Sequence, residues 1–170
     1  VVILGTIQYS VHPPTLYVAA HVNQLLPAWS MPIRSVLIVL QQSKQCLLVR
    51  TEATERDKDL MRQRFLDMST PVALNLIAAG YMAEVFDPRT GLPTLSTAGS
   101  IGLDDVAIAQ TALGYPVTNY ETCPALIHPI WGNAVYPSTL LSSAPIHVLA
   151  DIADRVIGLD YCTPVETGSA

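Results

Sequence analysis

The sequence predicts an α+β domain: an antiparallel sheet with flanking helices. Three observations carry that expectation. Strand-like and helix-like stretches are mixed rather than strictly alternating. Residues 34–41 (RSVLIVLQ) and 46–52 (CLLVRTE) read as two strands joined by the polar turn 42–45, a β-hairpin. No GxGxxG and no Walker A lysine supports a doubly wound nucleotide-binding sheet. At 170 residues the chain fits one domain, expected over 1–158, with a loose tail at 159–170.

Each element has its own signal. Residues 1–8 are apolar and β-branched, an opening strand, and Pro13-Pro14 ends that stretch. Val18, Val22, Leu25 and Leu26 fall at helical spacing over 15–26, closed by Pro27. Thr54-Glu55-Arg56-Asp57 resembles a capping box. It opens a long pattern through Leu60, Met61, Phe65, Met68, Val72, Leu76 and Ala79, stopped by Gly80. Pro71 lies inside and is expected to kink or split the helix, since it removes a donor and clashes one turn back.

Residues 81–86 read as a strand, and 87–91 as a turn in which Asp87 caps its own backbone. Pro88 presets φ there and Gly91 is free to take φ > 0. A short helix over 103–113 is stopped by Gly114, with Asp104 and Asp105 near its positive end. Strands are expected at 115–120 and 130–135, around the loop TNYETCPALIHPIWG (118–132). A last helix runs over 146–157, begun by Pro145 and ended by Gly158.

Composition excludes several functions. Half of the residues are hydrophobic, only 14% are charged, and mean hydropathy is +0.36. That is apolar for such a domain and points to surface covered by a partner or a second copy, a homodimer. No run approaches the roughly 18 uncharged apolar residues of a membrane helix. Net charge is −5 and the pI about 5.1, with nine basic residues scattered along the chain, so nucleic acid is not an expected partner. Three widely separated cysteines, Cys46, Cys123 and Cys162, argue against a disulfide framework and for a reducing compartment. The chain opens on Val1 rather than methionine, as expected of a trimmed or processed piece.

The loop 118–132 holds the only clustered chemistry, Cys123 and His128 among prolines, ahead of Trp131 and Gly132. Cys123 reads as a metal ligand, a nucleophile, or a small buried hydrophobe. A reactive thiolate wants a cation or a helix N-terminus nearby; here Glu121 is adjacent, and no basic residue lies between Arg89 and Arg155. Zinc is not expected, because no second cysteine or histidine has the paired spacing of a zinc half-site. His128 reads as a ring packed or hydrogen-bonded beside Trp131. The loop 99–102 (GSIG) offers a weak phosphate signal, with no cation adjacent.

Two stretches resemble the C-terminal domain of the methylmalonic aciduria and homocystinuria type D protein family. AAGYMAEVFDPRTGL (78–92) is similar to that family's Gly-Tyr-x-Ala-x-apolar-apolar-Asp-Pro-x-x-Gly-Leu. LGYPVTNYETCPALIHPIWG (113–132) matches without gaps from its Leu-Gly-aromatic start to its closing Trp-Gly. Weaker similarity runs through 25–44 and the helix before Gly80.

The resemblance implies a modified nitroreductase-like (flavin reductase-like) fold without flavin. It implies a non-catalytic adapter in intracellular cobalamin trafficking, in the cytoplasm, the mitochondrion or both. The adapter binds no cofactor alone and shares cobalamin with a partner, the type C cobalamin-processing protein. Cofactor is then directed toward methionine synthase and methylmalonyl-CoA mutase. It also implies a cysteine thiolate that coordinates cobalt, a soft ligand that the metal itself deprotonates. Animal members carry two adjacent cysteines here and the first is implicated as the ligand, whereas this chain has Thr122-Cys123. Either Cys123 takes the role through a one-residue shift, or this chain lacks the ligand. Thr122, His128, Trp131 and Gly132 then shape the loop, and Asp87, Pro88 and Gly91 the turn. The rival readings are a flavin-dependent reductase of the related fold and a protein-binding homologue without metal chemistry.

Overall fold

The computed structural model describes residues 1–120 and 123–161, the last three by backbone alone. In chain order the elements are β1 (Val2–Leu4), β2 (Ile7–His12), α1 (Leu16–Leu25), β3 (Ser35–Gln42), α2 (Glu52–Ala78), β4 (Ala83–Val85), α3 (Asp105–Leu113), β5 (Val117–Tyr120), β6 (Cys123–Leu126), β7 (Val135–Ser142) and α4 (Ile146–Tyr161). Five strands form one sheet in the order β1-β2-β3-β7-β4, antiparallel at every pairing, and β5-β6 is a separate hairpin. The expected α+β class, an antiparallel sheet flanked by helices, is what forms.

β3 organises the interior. Its side chains alternate between faces. Leu37 and Val39 join Phe65, Met68, Val72 and Leu76 of α2 and Leu149 and Ile152 of α4 in one core. Val36, Ile38 and Leu40 join Val18 and Leu25 of α1, Ile108 of α3 and Leu126 of β6 in the other. Both faces are therefore covered, which is why SVLIVL reads as a continuous apolar run. Burying each such side chain fully contributes about 1.5–3 kcal/mol.

Several expected boundaries move, each for a local reason. The opening strand is two strands, because Gly5 takes φ 59 and turns the chain between Leu4 and Ile7. Residues 46–52 form no strand, and β3 pairs instead with β2 and β7. The capping box of α2 lies earlier: Thr51 is the N-cap and exchanges hydrogen bonds with Thr54. Asp57 instead accepts from the Ser43 hydroxyl and from the Lys44 N–H at 2.8 Å, closing the turn after β3. α2 runs through Pro71 as one helix, held by Met68, Val72, Ala73 and Leu76 in the core.

The strand expected at 130–135 begins only at its last residue: the chain turns over 129–133, and β7 starts at Val135. Pro137 argues against a strand there. It is tolerated because β4 pairs only with positions 140–142, so among the described residues that end of β7 has no paired strand on one side. α4 passes the expected stop at Gly158 and ends at Tyr161, inside the expected tail; residues 162–170 lie outside the described residues. A helical glycine costs only about 1 kcal/mol, and Ile157 beside it is fully buried.

Candidate functional site

β5 and β6 pair Tyr120 with Cys123, so the quoted loop begins as a hairpin whose connection is residues 121–122. Glu121 and Thr122 lie outside the described residues. Cys123 opens strand β6 and is exposed, not a buried hydrophobe. Pro124 sits opposite Asn119, on an edge strand that tolerates a missing donor.

The thiol's surroundings come from distant parts of the chain. Cys123 lines two adjoining cavities, of about 390 and 620 Å³, which share Leu47, Leu48, Lys58 and Tyr120. The larger also takes in Arg50, Glu55 and Arg89. The cations missing beside Cys123 in sequence are therefore supplied by α2, the segment before it and the 87–91 turn. Glu55 accepts from Arg89 Nη2 at 2.6 Å, with Lys58 Nζ at 3.4 Å and Arg50 Nε at 3.8 Å. The Arg89 hydrogen bond is the main reason its carboxyl is held below the usual range.

Asp87, Pro88 and Gly91 form the expected turn. The Gly91 N–H donates to Asp87 O at 2.7 Å, and the Asp87 carboxylate accepts from the Arg89 N–H at 2.9 Å. The sequence did not reveal Arg62. Its Nε and Nη2 both donate to Asp87, at 2.8 and 2.6 Å, and this pairing holds the Asp87 carboxyl below its ordinary range. The turn is thus pinned to α2, and Arg89 is delivered into the cavity.

The smaller cavity is bounded by α3. Asp104 caps that helix, accepting from the Ala107 N–H at 3.0 Å. Asp105 is not the solvated N-terminal charge its position suggests. The residue is half-buried, and its Oδ1 is shut off from water without a hydrogen-bond partner. Burial pushes its carboxyl up to about 7, opposed by the nearby Thr139 hydroxyl, which falls short of hydrogen-bonding geometry. Gly99, in the loop with the weak phosphate signal, packs against the last carbonyls of α1 and donates to Leu25 O at 3.2 Å. That surface repels an anion.

His128 lines neither cavity. It is 2% exposed, and its ring is the hub of the 128–132 loop. Nδ1 accepts from the Ile130 and Trp131 N–H groups, both at 3.1 Å. The proton must therefore sit on Nε2, which donates to Gln8 Oε1 at 2.9 Å; Gln8 Nε2 donates on to Tyr115 Oη at 3.1 Å. Trp131 stacks on the ring at 4.0 Å, and Gly132 takes φ 56 to return the chain, its N–H and carbonyl both bonded to His128.

Burial lowers the pKa of His128. The unfolded imidazole takes its proton near 6.5, roughly the unperturbed value, and the folded ring resists it. Stability from this group is thus complete above that pH and is lost as pH falls below it. Asp105 acts in the opposite sense, because its folded carboxyl keeps a proton that the unfolded chain has released. Urea midpoints at pH 7.5 and 5.5 for wild type and His128→Asn should separate the two. Asp105 contributes equally to both, so the stability of wild type relative to the variant is expected to fall on acidification; an unchanged difference would refute the linkage.

Among the described residues, no three His, Cys, Asp or Glu side chains converge as a metal site, and no helix is long and apolar enough to cross a membrane. Comparison with known proteins gives the kinship. The chain is 25% identical over 109 residues to the human protein named cobalamin trafficking protein CblD, covering 64% of this chain and 37% of that one. It is 23% identical over 110 residues to the Gallus gallus protein of the same name, covering 65% and 37%, and 24% identical over 109 residues to that of Rattus norvegicus. The chain thus spans 37% of the length of these curated relatives. A family model described as methylmalonic aciduria and homocystinuria type D protein matches residues 7–153. On that match the chain belongs to the methylmalonic aciduria and homocystinuria type D protein family.

Proposed function

We propose that this chain is a non-catalytic adapter of cobalamin trafficking that meets cobalamin on a processing partner and offers Cys123 to the cobalt. The observation that carries this reading is the placement of Cys123: a free thiol, exposed at a hairpin end, in a cleft whose wall supplies Arg50, Lys58 and Arg89. An exposed hairpin end can reach a metal held on another surface, and coordination itself deprotonates a thiol. Thiolate is a soft ligand suited to cobalt in a corrin. Family membership supports the trafficking role. The partner in this reading is the type C cobalamin-processing protein, with methionine synthase downstream, and the compartments are cytoplasm and mitochondrion. We read the two-sided antiparallel sheet as a nitroreductase-like fold that has given up flavin. His128, Trp131 and Gly132 keep the loop in shape, and the Asp87-Pro88-Gly91 turn holds Arg89 in place.

The test is spectroscopic. Wild type and Cys123→Ala are each mixed anaerobically with the partner loaded with reduced cobalamin, and the visible and EPR spectra are recorded. The expected result is that both form the complex and only wild type shifts the cobalt spectrum. Identical spectra from equally formed complexes would overturn ligation by Cys123. A flavin spectrum persisting through gel filtration would instead support the reductase reading.

A further inference from the structure

We propose that the cleft beside Cys123 is an anion site, in which Arg50, Lys58 and Arg89 hold a phosphate or carboxylate group of a small ligand. Three of the nine basic residues of a chain with net charge −5 converge on this one cavity. A structural ion pair needs one cation per carboxylate, but here three approach Glu55. Of the other carboxylates near Arg89, Asp59 is 3.5 Å away with a side chain 67% exposed to water, and Asp87 is paired with Arg62. Among the described residues positive charge is left over and donors are unspent: Arg89 gives one N–H to Glu55 and keeps others, and the Lys58 ammonium carries three. Arg50 is nearly free, with a side chain 85% exposed and its contact to Glu55 at 3.8 Å, so it can close on a ligand at little cost. Tyr120 and Val49 supply apolar surface beside these charges, which strengthens their pull on an oxyanion. Guanidinium and ammonium groups in one wall suit the tetrahedral or planar oxygens of phosphate and carboxylate. The site stands whether or not Cys123 ligates cobalt.

The thiol itself reports on the site. Cys123 is alkylated with anionic iodoacetate and with neutral iodoacetamide, in each case thiolate displacing iodide, and the rates are read by peptide mass spectrometry. Relative to a free thiol in the same buffer, the iodoacetate-to-iodoacetamide ratio at Cys123 should rise roughly threefold or more, and fall as salt is added. The double variant Arg50→Gln/Lys58→Gln, which changes two partly or largely exposed side chains, should return the ratio to that of the free thiol. Titration with pyrophosphate and with succinate then separates the sources. Suppression of the iodoacetate rate by pyrophosphate alone assigns a phosphate ligand; suppression by succinate alone assigns a carboxylate; suppression by both supports a general oxyanion site. A wild-type ratio equal to that of the free thiol, or one unchanged in the double variant, overturns the proposal.

Discussion

Gly99→Ala is expected to destabilise the fold by about 3 kcal/mol or more, lowering the melting temperature by roughly 6–12 °C for a chain of this size. A β-carbon at this position would lie 1.8 Å from the carbonyl oxygen of Gln24 and 2.5 Å from its carbon. Both obstacles are backbone atoms at the end of α1, so no rotamer change relieves them. Leu25 and Leu26, fully packed in the same turn, keep α1 from retreating. The 99–101 segment must therefore detach, losing the Gly99 N–H bond to Leu25 O and the Ile101 N–H bond to Gln24 O at 3.4 Å. Thermal melts followed by circular dichroism measure the loss. The control is Gly80→Ala, where φ is +88 but no atom lies within 4 Å of the added carbon; its cost should be the strain alone, about 1 kcal/mol. Equal melting temperatures for the two variants would refute the steric account.

Gly91→Ala should cost about 2–4 kcal/mol, combining strain with overlap. Its φ is +69, and an added β-carbon would stand 2.7 Å from Leu103 O and 2.9 Å from Leu103 N. Leu103 donates its N–H to Gly91 O at 2.8 Å and leads directly into Asp104, the cap of α3. The displaced atoms therefore border the smaller cavity that holds Cys123. Gly91→Asn distinguishes the causes, because asparagine accepts positive φ readily yet carries the same β-carbon. Asparagine is expected to be no better than alanine in urea denaturation; recovery of most of the loss would mean that φ, not contact, dictates glycine here.

These two glycines show which parts of the molecule a sequence discloses. Gly91 is legible, since Asp-Pro-x-x-Gly announces a turn, but nothing in the sequence says that Leu103 lies against it. The helices are legible where periodicity and caps agree: α1 with Val18 and Leu25 inward, and α3 between Asp104 and the left-handed Gly114. β7 is not, because Pro137 contradicts its pattern until one sees that β4 stops short of it. Residues 46–52 mislead the other way: their apolar residues form no strand, and Leu47 and Leu48 line the cleft wall. The site divides similarly. Cys123 and His128 stand out by type, and the bonds of His128 show a loop's hub. The cations around Cys123 are illegible, because Arg50, Lys58 and Arg89 reach it only through tertiary structure. Arg62 carries no local signal at all, although its ion pair with Asp87, at 2.6 Å, pins the turn.

The pairing of β3 with β7 also sets the order in which the molecule can be made. Ser35 meets Ser142, and the register continues to Gln42 opposite Val135. The middle of the sheet thus closes only after residues 135–142 have been synthesised, about a hundred residues after β3. Until then β3 has β2 on one edge and nothing on the other, with Val36 to Leu40 lacking the α4 and α3 surfaces that later cover them. Long-range pairing of this kind slows folding and lengthens the time an apolar edge is open to other chains. The interval before β7 arrives is thus one in which β3 offers an unpaired apolar edge to other chains.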